Sequence, residues 1–176
     1  LREPWNDPVT GFLRAHGMKN QAADRVKVIF VPCYLDGRDG IFETSYYDLL
    51  IGSDLAVYPS YYEPWGYTPL EAVAFHVPCL TTSLAGFGLW ANKVKGADSH
   101  LADGVEVVMR DDYNFDQVAN AICDTLAGLC GMSAKEVTAA RKKAARLAEK
   151  AQWKHFIAKY EQAYAIALDN AAKRNA

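Results

Sequence analysis

Glu63 and Glu71 stand with Pro-Trp-Gly-Tyr-Thr-Pro-Leu between them, inside a stretch from Tyr58 to Ala72 crowded with aromatics and prolines. Carboxylates accept protons from hydroxyl groups, and unpaired amides at a helix start accept the oxygens of an anion. The stretch offers both. Leu55-Ala56-Val57 reads as a short buried strand, and Leu70–Phe75 reads as a helix. Thr68 suits the N-cap, Pro69 the first helical position and Glu71 the third, so Thr-Pro-Leu-Glu reads as a capping box. A strand that delivers a loop onto a helix N-terminus is where parallel α/β sheets bind anions, because free amides and the helix dipole converge there. Glu71 therefore has two open roles, contact with a ligand or closure of the box. Glu63, placed before a proline in the loop, gains nothing for capping and reads as functional.

The block from Glu63 to Glu71 resembles the two-glutamate motif of retaining glycosyltransferases with the two-domain GT-B fold. Pro-Ser-Tyr-Tyr-Glu-Pro-Trp-Gly-Tyr-Thr-Pro is similar to the wording of the animal and fungal glycogen synthases. The likeness extends upstream through Ala23–Phe30, downstream through Thr81–Gly88, and more faintly to Gln152-Trp153-Lys154. It implies a transferase that moves glucose from UDP-glucose to the non-reducing 4-hydroxyl end of an α-1,4-glucan. By the same resemblance Glu63 is catalytic and meets the donor sugar, Glu71 meets the ribose, and the backbone of Trp65, Gly66, Tyr67 and Thr68 holds the diphosphate. Tyr34 and Tyr46 match, in their twelve-residue separation, the aromatic pair that clamps the uracil ring in that family. Read without the family, aromatics at such positions are more often core, although both follow the carboxyl end of the first strand, where nucleotides bind in open α/β sheets.

The resemblance further implies that no divalent metal and no cofactor are needed, since protein cations and a helix dipole neutralise the diphosphate. The chain then reads as one domain, residues 1–176, the C-terminal nucleotide-sugar-binding part of a GT-B enzyme. A facing N-terminal domain and the phosphate-clamping cations of the family lie outside it, so the piece alone is expected to be inactive. Expected partners are the nucleotide sugar, the glucan, that N-terminal domain and possible further copies of the enzyme, with neither nucleic acid nor membrane among them.

Other constellations point elsewhere or nowhere. Gly86-Phe87-Gly88-Leu89-Trp90-Ala91 formally matches a dinucleotide fingerprint, with Glu106 about twenty residues on, so an NAD-binding oxidoreductase module is one alternative. A non-catalytic interaction domain is another. In the family reading Ser83–Gly88 shapes the floor of the active cleft, but Ser83 and Ala85 depart from the usual Asn and Ser. His16, His76, His100 and His155 are scattered and read as surface or helix-end residues. Arg141, Lys142, Lys143 and Arg146 thin out the arginine cluster with which relatives bind a sugar-phosphate activator, and read as a solvated helix face.

The elements that must position the motif follow from periodicity and turn chemistry. Asp7-Pro8 starts a helix through Phe12-Leu13-Arg14. Val26–Val31, nearly all apolar, reads as a strand covered on both faces, and Asp36–Gly40 as turns. Thr44 would cap a helix holding Tyr46–Ile51. The motif helix runs to His76, Pro78–Thr82 is a third strand and Val105–Met109 a fourth. Helices over roughly 115–129, 134–150 and 153–172 close the chain, with Lys173–Ala176 as a disordered tail. This alternation predicts an α/β fold, a parallel sheet flanked by helices with a helical C-terminal tail.

Bulk properties agree with one globular domain. With 176 residues, 51% hydrophobic and 23% charged, the chain can bury a core. A net charge of −2 gives no global attraction to nucleic acid or acidic membranes. No apolar run approaches the roughly 18 residues of a membrane span. Cys33, Cys79, Cys123 and Cys130 lack paired spacing and read as buried free thiols of a cytoplasmic protein.

Overall fold

The computed structural model describes residues 7–174. It divides into two compact units, Leu1–Leu49 and Leu50–Ala176. In the first unit, α1 (Pro8–Ala15) starts as expected, with the Asp7 carboxylate accepting from the Thr10 amide at 2.9 Å. The turns at Gly37 and Gly40 take positive φ of 84° and 72°, as their sequence predicts. Asp39 accepts from the Ile41 and Phe42 amides. The bond from Phe42 is the main reason that its carboxyl lies below its ordinary value.

Val26–Val31 is not a strand. Val28 bonds through both its amide and its carbonyl to the side chain of Asn20, at 2.9 and 2.7 Å, so its polar groups are satisfied locally. Val26 and Ile29 are exposed. An apolar run states that a segment could be covered on both faces, but a ladder needs flanking strands, and among the described residues none pairs with it. The helix α2 (Tyr46–Ile51) forms, yet Ser45 rather than Thr44 caps it. The Ser45 hydroxyl accepts from the Asp48 amide at 3.3 Å and donates to the Asp48 carboxylate at 2.7 Å.

The second unit is a parallel α/β layer structure. Among the described residues its sheet has the order β1 (Ala56–Val57), β2 (Cys79–Thr82), β3 (Val105–Val108), all parallel. β2 is central and wholly buried, which explains why it reads as an unbroken apolar and threonine run. α3 (Tyr67–Ala74) packs on β1 and β2, and α4 (Gly86–Lys95) and α5 (Phe115–Gly131) pack on β3. Leu80, Val108 and Val118 form a core cluster, flanked by Val57, Ala121 and Ile122. α6 (Ala134–Lys150) lies on α3, and α7 (Trp153–Arg174) is the helical tail, which includes Lys173 and Arg174 rather than ending before them. Lys173 pairs one turn back with Asp169 at 2.6 Å, which continues the helix. Asn175 and Ala176 lie outside the described residues.

α6 is not a plain solvated face. Arg141 donates to the Ser53 carbonyl at 2.7 Å and lies 3.6 Å from Asp54, while Lys143 meets Asp103 at 3.2 Å. Ala140 and Ala144 are buried beneath, because Gly104 brings the backbone so close that a Cβ there would sit 2.7 Å from the Ala144 Cα. Asp103 also pairs with Lys95, and so joins α4 to α6. Partial burial raises its pKa, but the hydrogen bonds from Lys95 and Lys143 outweigh this and hold the carboxyl below its ordinary value. A depressed carboxylate contributes stability that is present above its unfolded pKa and is lost as pH falls through the folded one. Acid unfolding of Asp103→Asn should therefore show a shallower loss of stability below about pH 4 than wild type. Parallel acid limbs for the two proteins would remove this role.

The four thiols are free, as expected, but only one of them is buried. Cys79 is buried, and burial pushes its pKa up, whereas Cys33, Cys123 and Cys130 are exposed. Cys79 alone lies on a central strand, and the helix and loop positions of the others face solvent. His100 is not solitary either, since its Nδ1 lies 3.3 Å from the Glu106 carboxylate. Among the described residues, no group of three or more His, Cys, Asp or Glu is placed to hold a metal ion, and no helix is long and apolar enough to cross a membrane.

Candidate functional site

The loop from Tyr58 to Gly66 emerges at the carboxyl end of β1, and its backbone is sewn to the neighbouring segment. The Tyr58 amide donates to the Leu80 carbonyl at 2.8 Å, extending the ladder by one residue. The Thr82 hydroxyl, buried at the end of β2, donates to the Ser60 carbonyl at 2.6 Å. Glu63 forms an isolated parallel bridge with Ala85: its amide donates to the Leu84 carbonyl at 3.0 Å and its carbonyl accepts from the Gly86 amide at 3.1 Å. The Trp65 carbonyl accepts from the Phe87 amide at 2.6 Å. The Trp65 ring packs against Phe87, Trp90 and Phe156, with centroids 6.0, 5.8 and 6.2 Å away. Both polar groups of the Glu63 backbone are thus committed, leaving its half-buried side chain as the variable part.

α3 begins earlier than the capping box predicts. Gly66 is the N-cap at φ 100°, Tyr67 is the first helical residue, and no side chain caps the start. Pro69 is consequently the third helical residue, where a missing amide still costs nothing, and Glu71 the fifth. The box cannot close. The reason lies in the bonds from Gly86 and Phe87, which fix Glu63 and Trp65 and force the turn at Gly66. That turn needs glycine because φ is positive; a Cβ there would also press on Pro69 Cγ at 3.2 Å and make ordinary contact with Glu63 Cγ at 3.5 Å. The second distance also puts the stem of Glu63 beside the helix start. Glu71 lies one turn along from Tyr67 on the same helix face. Tyr67 and Thr68 are exposed at the N-terminus.

Glu63, Gly66, Tyr67 and Thr68 are therefore gathered around one uncapped helix N-terminus at the carboxyl edge of a parallel sheet. Such an edge can bind an anion through amides and hydroxyl groups through the carboxylate. Tyr34 and Tyr46 belong to the first compact unit. There the Tyr46 amide donates to the Leu35 carbonyl at 3.0 Å, and Asp36 and Ser45 form an antiparallel bridge, which closes the loop between the two tyrosines. Tyr34 is 95% exposed, so it is no core residue, and Tyr46 is half-buried with its ring edge-on to Tyr47 at 5.3 Å.

Sequence reasoning missed Thr82 and the glycine requirement of the segment facing the motif. A Cβ on Gly86 would land on the Pro64 carbonyl and 3.3 Å from the Trp65 Cα, and one on Gly88 would meet the Thr82 carbonyl at 2.5 Å. Gly-Phe-Gly is therefore explained by the close approach of α4 to the motif loop and to β2, with no dinucleotide required. Ser83 retains a polar role, accepting from the Arg110 amide at 3.0 Å.

Residues 1–175 match the family model described as Glycogen synthase. The chain belongs to the glycogen synthase family. Over 169 residues it is 34% identical to the liver glycogen [starch] synthase of Mus musculus, a match covering 94% of this chain and 23% of that relative. Glycogen [starch] synthase isoform 1 of Saccharomyces cerevisiae is 32% identical over 166 residues, and glycogen [starch] synthase of Neurospora crassa is 32% identical over 165, with the same coverage. The chain thus spans about a quarter of the length of these relatives. In this family member the two-glutamate motif, its loop and its helix all lie within the matched region.

Proposed function

We propose that this chain is the nucleotide-sugar-binding, C-terminal part of a retaining GT-B glucosyltransferase that carries glucose from UDP-glucose to the 4-hydroxyl end of an α-1,4-glucan. The observation that carries this reading is the delivery of Glu63 to the uncapped start of α3, at the carboxyl edge of a parallel sheet, in a member of the glycogen synthase family. In this reading the amides from Trp65 to Thr68 hold the leaving diphosphate and Glu71 accepts from the ribose. Glu63 orients the sugar and stabilises charge at its anomeric carbon, and Tyr34 and Tyr46 stack on the base. Helix dipole and protein cations neutralise the phosphates, so no metal is called for. The enzyme works in the cytoplasm with a facing N-terminal domain, and transfer requires both halves.

UDP should raise the melting temperature of residues 1–176, and NAD should leave it unchanged. A ligand that binds only the folded state stabilises by about 2.7 kcal/mol at 100 times its Kd. Stabilisation by NAD with none by UDP would replace this reading by a dinucleotide-binding one.

A further inference from the structure

Three loops leave the carboxyl edge of the sheet, after β1, β2 and β3, and one side chain joins them. Arg110, just beyond β3, is fixed through its backbone by the second loop: its amide donates to the Ser83 hydroxyl at 3.0 Å, and that hydroxyl donates to its carbonyl at 3.4 Å. Its guanidinium reaches across to the first loop, donating through Nη1 to the Pro59 carbonyl at 2.7 Å. The same group lies 5.0 Å from the centroid of the Tyr61 ring. Asp112, two residues on, accepts from the Tyr61 hydroxyl. Tyr61 is thus held on its face by a cation and at its tip by a carboxylate, both from the third loop. A planar guanidinium can bond in its plane and stack on its face at once, which an ammonium cannot.

We propose that Arg110 is a positioning residue for the transfer reaction, acting through Pro59 and Tyr61 to hold the Glu63 carboxylate at the donor sugar. The role rests on the reading of Glu63 given above. From Pro59 to Tyr61 the loop has left the ladder, and Arg110, Asp112 and Thr82 are its holding side chains. From Glu63 onward the backbone is pinned by Leu84 and Gly86. Loss of Arg110 frees the approach to Glu63 without touching its own bonds, so the carboxylate shifts while the phosphate site at α3 stays. A displacement of about 1 Å at a reacting group costs on the order of 100-fold in rate.

The test uses the full-length enzyme with Arg110→Gln and Arg110→Lys. Each is followed by steady-state kinetics with varied donor and by amide hydrogen exchange over residues 60–63. The expected result is faster exchange in that segment and a kcat reduced by about 10- to 100-fold with donor KM nearly unchanged. Lys should recover part of the loss, because it can reach the carbonyl but not stack as well. In a Glu63→Gln background Arg110→Gln should reduce kcat no further, since its effect passes through Glu63. Unchanged exchange, an unchanged kcat, or a full additional loss in that background overturns the role. If the wild-type enzyme transfers no glucosyl group while exchange still quickens in the variant, the clamp on the loop is real. The glucosyltransferase reading then fails, and the positioning role of Arg110 in transfer with it.

Discussion

Glu63→Gln in the full-length enzyme should lower kcat and kcat/KM together, by on the order of 10²- to 10³-fold, as losses of preorganised transition-state stabilisation do. The side chain is singled out by what its backbone does. Both Glu63 polar backbone groups are spent on the bridge to Ala85, so an amide replacement leaves the loop in place and removes only the charge. Glu71→Gln should behave differently, raising the donor KM by about tenfold with kcat retained, since the ribose does not change during transfer and one charge-assisted bond is lost. A capping role for Glu71 would predict no change for glutamine, but α3 starts at Tyr67 and leaves Glu71 too far along to cap it. Both variants are assayed at saturating glucan with varied donor. Full kcat in Glu63→Gln would end the reading of this loop as a catalytic centre.

Gly86→Ala should destabilise the protein by about 1–3 kcal/mol, the usual cost of forcing a methyl group into a close-packed site. The obstacle is backbone rather than a flexible side chain: the Pro64 carbonyl and the Trp65 Cα occupy the space, and both belong to the motif loop. Relief therefore means moving the loop or α4, and the bond from the Gly86 amide to the Glu63 carbonyl goes with it. Gly128→Ala is the matched control. Nothing lies within 4 Å of a Cβ there, and it sits inside α5, so alanine should stabilise by about 0.5–1 kcal/mol. Denaturant unfolding of the two variants reads both effects. If Gly86 served a dinucleotide instead, alanine would cost nucleotide affinity with little change in stability, and an unchanged midpoint would sink the packing account.

The sequence by itself determined the order and type of most elements, because each signal is local. Hydrophobic period separates the strands at Ala56, Cys79 and Val105 from the long amphipathic helices, and Asp7 and the glycines at 37 and 40 act within a few residues of themselves. The family too was legible, since Glu63 to Glu71 is a contiguous block. The tertiary structure decided what depends on a partner distant in the chain. Val26–Val31 looks like a strand but has no neighbour to complete a ladder among the described residues. Thr68 looks like an N-cap, but amides some twenty residues away hold Glu63 and Trp65 so that the helix must begin after Gly66. Arg141 looks solvated until Ser53 is folded against it. Gly86 looks like a nucleotide fingerprint until Pro64 fills the space where its side chain would be. In each case composition and spacing state what a residue can do locally, and the choice among those options is made by contacts whose sequence separation no local pattern encodes.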